Sequence, residues 1–167
     1  MKTILAMRHA KSSWDSPAGT DHDRPLNERG FADAPRMGAW LKEQGVVPEL
    51  IISSTARRAR QTAVGVIEGS GYGEEWEQTA DFYHADPEAY IERLAQLPDA
   101  LERVMVVGHN PGIEELVNLL TDEFVMVTTA NIAHITVPIA HWADLTAVGE
   151  GDLIGQLVHF WQPCDIP

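Results

Sequence analysis

The chain has 167 residues, a formal net charge of −13 and one cysteine. Its hydrophobic content of 44% and charged content of 22% are those of a globular protein, and we expect a single domain over residues 1–167. The negative charge argues against nucleic acid or an anionic membrane as the main partner, because basic surfaces bind phosphate backbones, but it still allows a small basic pocket.

Two features of the sequence predict a cytoplasmic protein. Cys164 has no second cysteine with which to form an internal disulfide. The apolar stretch after Lys2 ends at Met7, which is too short for the hydrophobic region of a signal peptide, and no run reaches transmembrane length.

The N-terminal third of the chain predicts a strand, a loop and a helix. Thr3–Met7 is a short apolar run with branched residues, which is typical of a buried strand. Residues 11–25 are polar and predict a loop. Apolar residues at helical spacing then predict a helix over 26–45, capped by Asn27. Pro35 is expected to kink or break this helix.

The middle of the chain repeats this order. Residues 49–54 predict a second buried strand, and a helical pattern follows from about residue 56. Residues 76–82 predict another strand. Asp86 is a candidate cap for a helix over 86–97, because Pro87 stands at the first helical position.

The C-terminal third contains three further strand patterns. Residues 104–107 predict a buried strand, and Asn110 is expected to cap a helix from Pro111 to about residue 120. Residues 131–137 and 154–161 both alternate in polarity and predict an antiparallel pair.

Alternating strands and helices indicate an α/β fold. We expect one three-layer domain with a mostly parallel central sheet and helices on both faces. Functional residues of such sheets lie outside the carboxyl ends of the strands. Three predicted strand ends carry Arg8 with His9, residues 53–58, and His109, and these segments should meet at one edge of the sheet.

Two arginines and two histidines at one sheet edge are suited to phosphoryl transfer. Arginine presents a planar fork of donors to phosphate oxygens, and a neutral imidazole is a competent nucleophile. Nearby guanidinium groups lower the pKa of a histidine and keep it neutral. The sequence contains no Walker loop, Asp-rich metal motif or catalytic cysteine pattern, so we expect no metal or cofactor. The residues 21–23 are interpreted as a polar loop rather than a metal site.

Three ordered motifs resemble the histidine phosphatase superfamily, also called the phosphoglycerate mutase-like fold. Arg8-His9-Ala10 is similar to its Arg-His-Gly signature. Residues 54–62, STARRARQT, resemble its second motif, Ser-Pro-x-x-Arg-Ala-x-Gln-Thr, and residues 108–111, GHNP, its third. The short chain and the stretch DRPLNERG at 23–30 resemble the SixA-type phosphohistidine phosphatases within the superfamily.

The resemblance implies a role for each matching residue. His9 corresponds to the nucleophile that becomes phosphorylated, and Arg8 and Arg58 correspond to phosphate-binding arginines. His109 corresponds to the second histidine of the site. Arg24 stands where SixA-type members have an arginine near the site.

Departures from the family pattern leave some assignments open. Ala10 replaces the usual glycine and Thr55 the usual proline. The run of arginines leaves open whether Arg57 rather than Arg58 faces the site. No glutamate matches the general acid of the mutases, and Asp81 and His84 are the nearest candidates for a proton donor.

The missing acid favours one class of substrate. A phosphate ester must expel an alkoxide, whereas phosphohistidine expels an imidazole, whose nitrogen is protonated near pH 6.5 and leaves with less help. No insertion is long enough for a lid. We therefore expect a phosphatase acting on a phosphohistidine protein. Two alternatives stay open: a small-molecule phosphatase or mutase-like enzyme of the same superfamily, and an inactive module that only binds phosphoproteins.

Overall fold

The computed structural model describes residues 1–15, 17 and 19–167. A six-stranded sheet runs through it in the order β3-β2-β4-β1-β5-β6. Its strands are β1 Lys2–Arg8, β2 Leu50–Ser54, β3 Glu77–Thr79, β4 Arg103–Gly108, β5 Ile132–Val137 and β6 Gln156–Trp161. β1 to β4 pair in parallel, and β5 is antiparallel to both of its neighbours. The predicted mostly parallel sheet and the antiparallel C-terminal pair are confirmed.

Two layers of helix cover the sheet. The helices are α1 Glu28–Glu43, α2 Arg57–Ser70, α3 Pro87–Ala95 and α4 Gly112–Thr121. α1 and α2 pack on one face, where Leu5 and Met7 of β1 are buried, and α3 and α4 pack on the other, where Ile4 and Ala6 are buried. Burial on both faces explains why β1 is apolar throughout instead of alternating.

Pro35 lies inside α1 without breaking it, so the predicted break is wrong. α2 crosses α1 very closely at this point, because two glycines of α2 face it. A Cβ on Gly69 would overlap the Pro35 carbonyl, and one on Gly65 would come within 2.6 Å of the Ala34 Cβ. This close packing supports the helix across the position where the proline cannot donate a hydrogen bond. Asn27 caps α1 as predicted, since its side chain accepts from the Gly30 amide at 2.9 Å.

Two other element boundaries differ from prediction. The strand expected over 76–82 is only the three-residue edge strand β3, because the chain turns into a 3₁₀ helix at Ala80–Phe82 to bury Phe82. Asn110 does not cap α4, which begins two residues later. Its side-chain amide instead donates to the Val127 carbonyl at 2.8 Å and to Glu114 Oε2 at 3.1 Å.

The strand order places three chemically important strand ends together. β4 lies between β1 and β2, and all three are parallel, so their carboxyl ends share one edge. In the β1–β4 register Arg8 is opposite Gly108. Gly108 packs so closely on Tyr90 that a Cβ there would overlap the tyrosine hydroxyl. His109 therefore follows a backbone position that is packed directly against the Tyr90 ring.

Candidate active site

The edge shared by β1, β2 and β4 brings two histidines together. The rings of His9 and His109 lie 5.1 Å apart between centroids. The His9 amide donates to the Gly108 carbonyl at 3.0 Å, which extends the β1–β4 pairing by one residue. Arg8 ends β1, and Arg58 projects from the first turn of α2. We refer to His9, His109, Arg8 and Arg58 as the strand-end cluster.

The protonation of His9 is set by its backbone. Its Nδ1 lies 2.7 Å from the Ala10 carbonyl, which can only accept, so Nδ1 carries the proton and the Nε2 lone pair is free. The Ala10 amide donates to Thr62 Oγ1 at 2.9 Å, and the Thr62 hydroxyl donates to the Arg58 carbonyl at 2.7 Å. These bonds hold the segment that orients the His9 ring.

Burial is the main reason why the pKa of His9 is lowered to about 3, and the positive charges of Arg58, Arg8 and Arg24 lower it further. The hydrogen bond to the Ala10 carbonyl acts in the opposite direction. His9 is therefore neutral at physiological pH. A neutral ring with a free Nε2 has the protonation state that a nucleophile requires.

His109 is oriented by Ser54 at the end of β2. Its Nε2 lies 2.8 Å from Ser54 Oγ, and that oxygen already accepts from the Ala56 amide at 3.2 Å. We assign the Ser54 hydroxyl as the donor in this hydrogen bond, so that Nε2 accepts and the ring proton of His109 is on Nδ1. The pKa of His109 is lowered to about 3 by burial and by the neighbouring His9 and Arg58. His109 is a neutral hydrogen-bond donor.

Three nitrogens of the strand-end cluster are buried without a hydrogen-bond partner in the described part of the chain: Arg8 Nε, Arg58 Nε and His109 Nδ1. Each is a donor, and an unpaired buried donor costs about 1–3 kcal/mol. Arg8 is anchored through Nη1, which donates to the Val127 carbonyl at 3.1 Å. An anion that accepts from these three donors would remove the cost.

Arg58, rather than Arg57, is the buried arginine of α2. Its Nη1 and Nη2 donate to the backbone carbonyl and to Oδ2 of Asp21, at 2.8 and 3.1 Å. Arg57 is exposed, and Arg60 turns back to donate to the Thr55 carbonyl at 2.9 Å. Periodicity alone left this choice open, and the structure resolves the placement.

Arg24 lies at the edge of the strand-end cluster. Its Nε donates to Asp21 Oδ1 at 3.0 Å and its Nη1 to Ser12 Oγ at 2.8 Å. The guanidinium stacks 3.6 Å from the centroid of the Trp14 ring. Its charge is one of those that lower the pKa of His9, so it contributes to the same positive field.

Asp21 and Tyr83 belong to the site although the sequence did not identify them. The Tyr83 hydroxyl donates to Asp21 Oδ2 at 2.6 Å, and the Tyr83 ring meets His109 edge-on at 5.5 Å. From the sequence, residues 21–23 are interpreted as a polar loop rather than a metal site, because no partner ligands stand at a helpful spacing. Tyr83 follows an edge strand and has no motif around it.

The two candidate proton donors are placed differently. The ring of His84 lies 4.0 Å from the Tyr83 ring between centroids, and Tyr83 also contacts His109. Asp81 faces a surface crevice beside α3 that contains none of the cluster residues. Asp81 therefore lies away from the cluster, whereas His84 packs on Tyr83, which contacts the cluster.

Comparison with known families identifies the chain. The profile of the histidine phosphatase superfamily (branch 1) matches residues 4–90, a little over half of the 167 residues. This chain belongs to that superfamily. The matched range contains Arg8, His9 and Arg58, and His109 follows it in the chain.

Similar proteins extend the match over almost the whole chain. An uncharacterised protein of Mycobacterium tuberculosis is 36% identical over an alignment of 153 positions, and the alignment covers 83% of this chain and 91% of that protein. The SixA structure from Agrobacterium tumefaciens is 28% identical with a TM-score of 0.81, covering 97% of this chain and 98% of that one. The protein histidine phosphatase SixA in complex with tungstate is 27% identical with a TM-score of 0.80, covering 98% of each chain.

These matches confirm the predicted family, fold and enzyme class. This protein is a phosphatase of the histidine phosphatase superfamily, and its substrate carries a phosphoryl group. In the described part of the chain no group of three or more histidine, cysteine or acidic residues is arranged to hold a metal ion. None of the described helices combines the length and apolar character that a membrane crossing requires.

Proposed function

We propose that this phosphatase hydrolyses phosphohistidine on a protein partner, through a covalent phosphohistidine on His9. The observation that carries the proposal is the strand-end cluster: a neutral His9 with a free Nε2 beside three buried donors that lack a partner in the described residues. The cluster matches the needs of phosphoryl transfer, in which the protein mainly positions groups and neutralises charge on the transferred oxygens.

The reaction proceeds in two steps. In the first, the His9 Nε2 lone pair attacks phosphorus, the bond to the substrate nitrogen breaks, and its electron pair returns to the leaving imidazole. Arg8 and Arg58 neutralise the phosphoryl oxygens, His109 Nδ1 donates to one of them, and Arg24 adds positive charge. In the second step water attacks phosphorus, and the P–N bond electrons return to His9 Nε2, releasing phosphate.

The acid–base groups of the site favour an N–P bond as the substrate. Asp21 is the only carboxylate that touches the cluster within the described residues, and its pKa is lowered, first by the hydrogen bond from Tyr83 and then by Arg24 and Arg58. It is ionised and cannot protonate an alkoxide. A leaving imidazole needs far less assistance. The similar protein named a protein histidine phosphatase supports the same assignment.

The surroundings of the cluster favour a protein over a small metabolite. Trp14, which stacks on Arg24, is exposed. Phe124 and Met126 are exposed on the segment whose Val127 carbonyl holds Arg8. Exposed aromatic and methionine side chains around an anion site are typical of contact with another protein. The single cysteine, Cys164, is free and exposed, and the proposal places the enzyme in the cytoplasm.

The test uses a phosphohistidine peptide and p-nitrophenyl phosphate in excess EDTA. We expect hydrolysis of both by the wild type, and a fall of about 10³-fold or more in His9→Ala. His159→Ala, which changes an exposed histidine far along β6, is the matched control. Rapid quenching should trap an acid-labile phosphoryl group on His9. A strict requirement for added metal, or an adduct on another residue, would contradict the mechanism.

A substrate panel tests the assigned class. Phosphohistidine, phosphoserine, sugar phosphates and nucleotides are compared by kcat/KM. Preference for a sugar phosphate or a nucleotide would favour the small-molecule alternative. Phosphate binding without any turnover would favour the inactive binding module.

A further inference from the structure

Asp21 lies on the outer side of the strand-end cluster. Its side chain is 43% exposed, whereas the Arg58 side chain with which it pairs is 7% exposed. It comes from a single 3₁₀ turn, Asp21–Asp23, capped by Thr20. His9 and His109 are buried, whereas Asp21 is open to solvent. We infer from this difference that a substrate reaches the cluster on the side where the carboxylate lies.

The carboxylate of Asp21 keeps room for one more donor. Oδ2 accepts from Arg58 Nη2 at 3.1 Å and from the Tyr83 hydroxyl at 2.6 Å. Oδ1 accepts from Arg24 Nε at 3.0 Å. Two carboxylate oxygens offer about four acceptor positions, so one position on Oδ1 is unused by these three bonds.

The groups around this carboxylate keep it charged. Arg24, Arg58 and Tyr83 all face it, and together they lower its pKa, so Asp21 is an anion over the whole range in which the enzyme would work. His22, its neighbour in the turn, points to Thr55 Oγ1 at 3.0 Å and to the edge of the Tyr83 ring. Asp21 therefore accepts hydrogen bonds and cannot donate a proton.

We propose that Asp21 is a specificity-determining residue that accepts a hydrogen bond from the protonated ring nitrogen of the substrate phosphohistidine. This inference rests on the proposed function. In its cationic form the phosphorylated ring carries a proton on its other nitrogen, and a neighbouring anion stabilises that form and raises the pKa of the ring. When His9 Nε2 attacks and the P–N bond breaks, the bonding pair returns to the ring, which leaves as neutral imidazole with its proton in place.

The same anion acts against other leaving groups. A phenolate, an alkoxide or a second phosphate develops or carries negative charge where Asp21 already places one, and like charges at close range are unfavourable. Asp21 thus raises selectivity for leaving groups that carry a proton and a positive charge. The strand-end cluster binds the phosphoryl group, and Asp21 determines which leaving groups are favoured.

The experiment compares the two substrates in one set of variants. kcat is measured for a phosphohistidine peptide and for p-nitrophenyl phosphate in wild type, Asp21→Asn, Asp21→Glu and Asp23→Asn. Asparagine keeps an oxygen for the Arg58 bond but removes the charge. Asp23 is the matched control, because it is an exposed carboxylate of the same turn that contacts Thr20 and His22 and none of the cluster arginines. Thermal unfolding of each variant is recorded alongside.

We expect Asp21→Asn to lower the ratio of the phosphohistidine rate to the p-nitrophenyl phosphate rate by about tenfold or more. Asp21→Glu restores part of that ratio, and Asp23→Asn keeps the wild-type value. The alkaline limb of kcat for phosphohistidine moves to lower pH in Asp21→Asn, because the substrate ring loses the anion that raises its pKa. The p-nitrophenyl phosphate profile lacks this movement.

Equal losses on both substrates would overturn the inference and reduce Asp21 to a support for Arg58. Failure of the proposed function gives a different result, because it is visible in the wild type alone: p-nitrophenyl phosphate is hydrolysed and the phosphohistidine peptide is not. That outcome overturns both proposals.

Discussion

The protein contains two close pairs of histidines, and only one of them has the properties of a catalytic site. In the strand-end cluster the rings of His9 and His109 lie 5.1 Å apart. Across β5 and β6 the rings of His134 and His159 lie 5.4 Å apart, in nearly the same proximity. His9, His109 and His134 are buried and His159 is exposed. The pKa of His134 is lowered to about 4, mainly by burial.

The difference lies in what the ring nitrogens contact. His134 and His159 use their Nδ1 atoms on each other, at 3.2 Å, and both rings stack on Trp161. His9 and His109 instead each give one nitrogen to a non-histidine partner, the Ala10 carbonyl and the Ser54 hydroxyl, which leaves the other nitrogen for a ligand. In the first pair, each ring bonds one nitrogen to a group other than histidine and keeps the second nitrogen for a ligand, with arginines nearby. In the second pair, the histidines bond to each other, and we assign this pair a structural role.

Removal of the Arg58 side chain should have the largest effect on the activity of the His9–His109 pair. Arg58→Ala should lower kcat/KM for p-nitrophenyl phosphate by about 10²–10³-fold, because it deletes a preorganised donor to the transferring phosphoryl group. Arg57→Ala, the exposed neighbour on the same helix, should stay within about threefold of wild type. A comparable loss in both variants would show that the register of α2 is misassigned.

The pH dependence of activity tests whether His9 is neutral in the range where an ordinary histidine is protonated. Since the pKa of His9 is lowered to about 3, the nucleophile stays neutral at pH 5, where an ordinary imidazole would be only about 3% neutral. Initial rates on p-nitrophenyl phosphate, corrected for ionisation of the substrate, should at pH 5 keep at least about half of their value at pH 7. Circular dichroism at each pH verifies that the protein remains folded. An acid limb near pH 6.5 would show that burial and the neighbouring charges do not lower the pKa of His9 as described.

Ser54 provides a smaller test, directed at the tautomer of His109. Ser54→Ala removes the hydroxyl that assigns the proton to Nδ1, and we expect about a tenfold lower kcat with little change in KM. Ser53→Ala is the matched control, because that buried hydroxyl donates to the Ser54 carbonyl and does not contact His109. Equal effects in the two variants would attribute the loss to packing of β2.

The second histidine pair should affect stability alone. Because the folded-state pKa of His134 lies below its ordinary value, the unfolded chain binds more protons between about pH 4 and 6.5, and stability falls as the pH drops through that window. His134→Phe keeps a ring against Trp161 but removes the titrating group. The loss in unfolding free energy between pH 7 and pH 5, measured by urea denaturation, should shrink by about 2 kcal/mol. A fall in kcat would contradict the separation of the two pairs.

The sequence alone predicted the sheet and the cluster for a physical reason. Buried parallel strands leave continuous apolar runs, and the polar residues that end those runs, such as His9 and His109, must meet at one edge. Asp21 and Tyr83 could not be predicted, because their positions depend on a turn and an edge strand that have no periodicity. Pro35 is a case in which a local sequence rule fails: a proline inside a helix usually breaks it, but α1 continues through Pro35 where α2 packs closely against it.

Because Gly108 has no side chain, the buried Tyr90 can pack against the backbone next to His109. The Tyr90 hydroxyl occupies the space where a Cβ would stand and meets the His109 amide at 3.4 Å. Directed evolution of the substrate range would therefore meet an epistatic constraint here: any larger residue at 108 requires a smaller one at 90 in the same step. Libraries that vary the two positions jointly should recover active clones that single-site libraries miss.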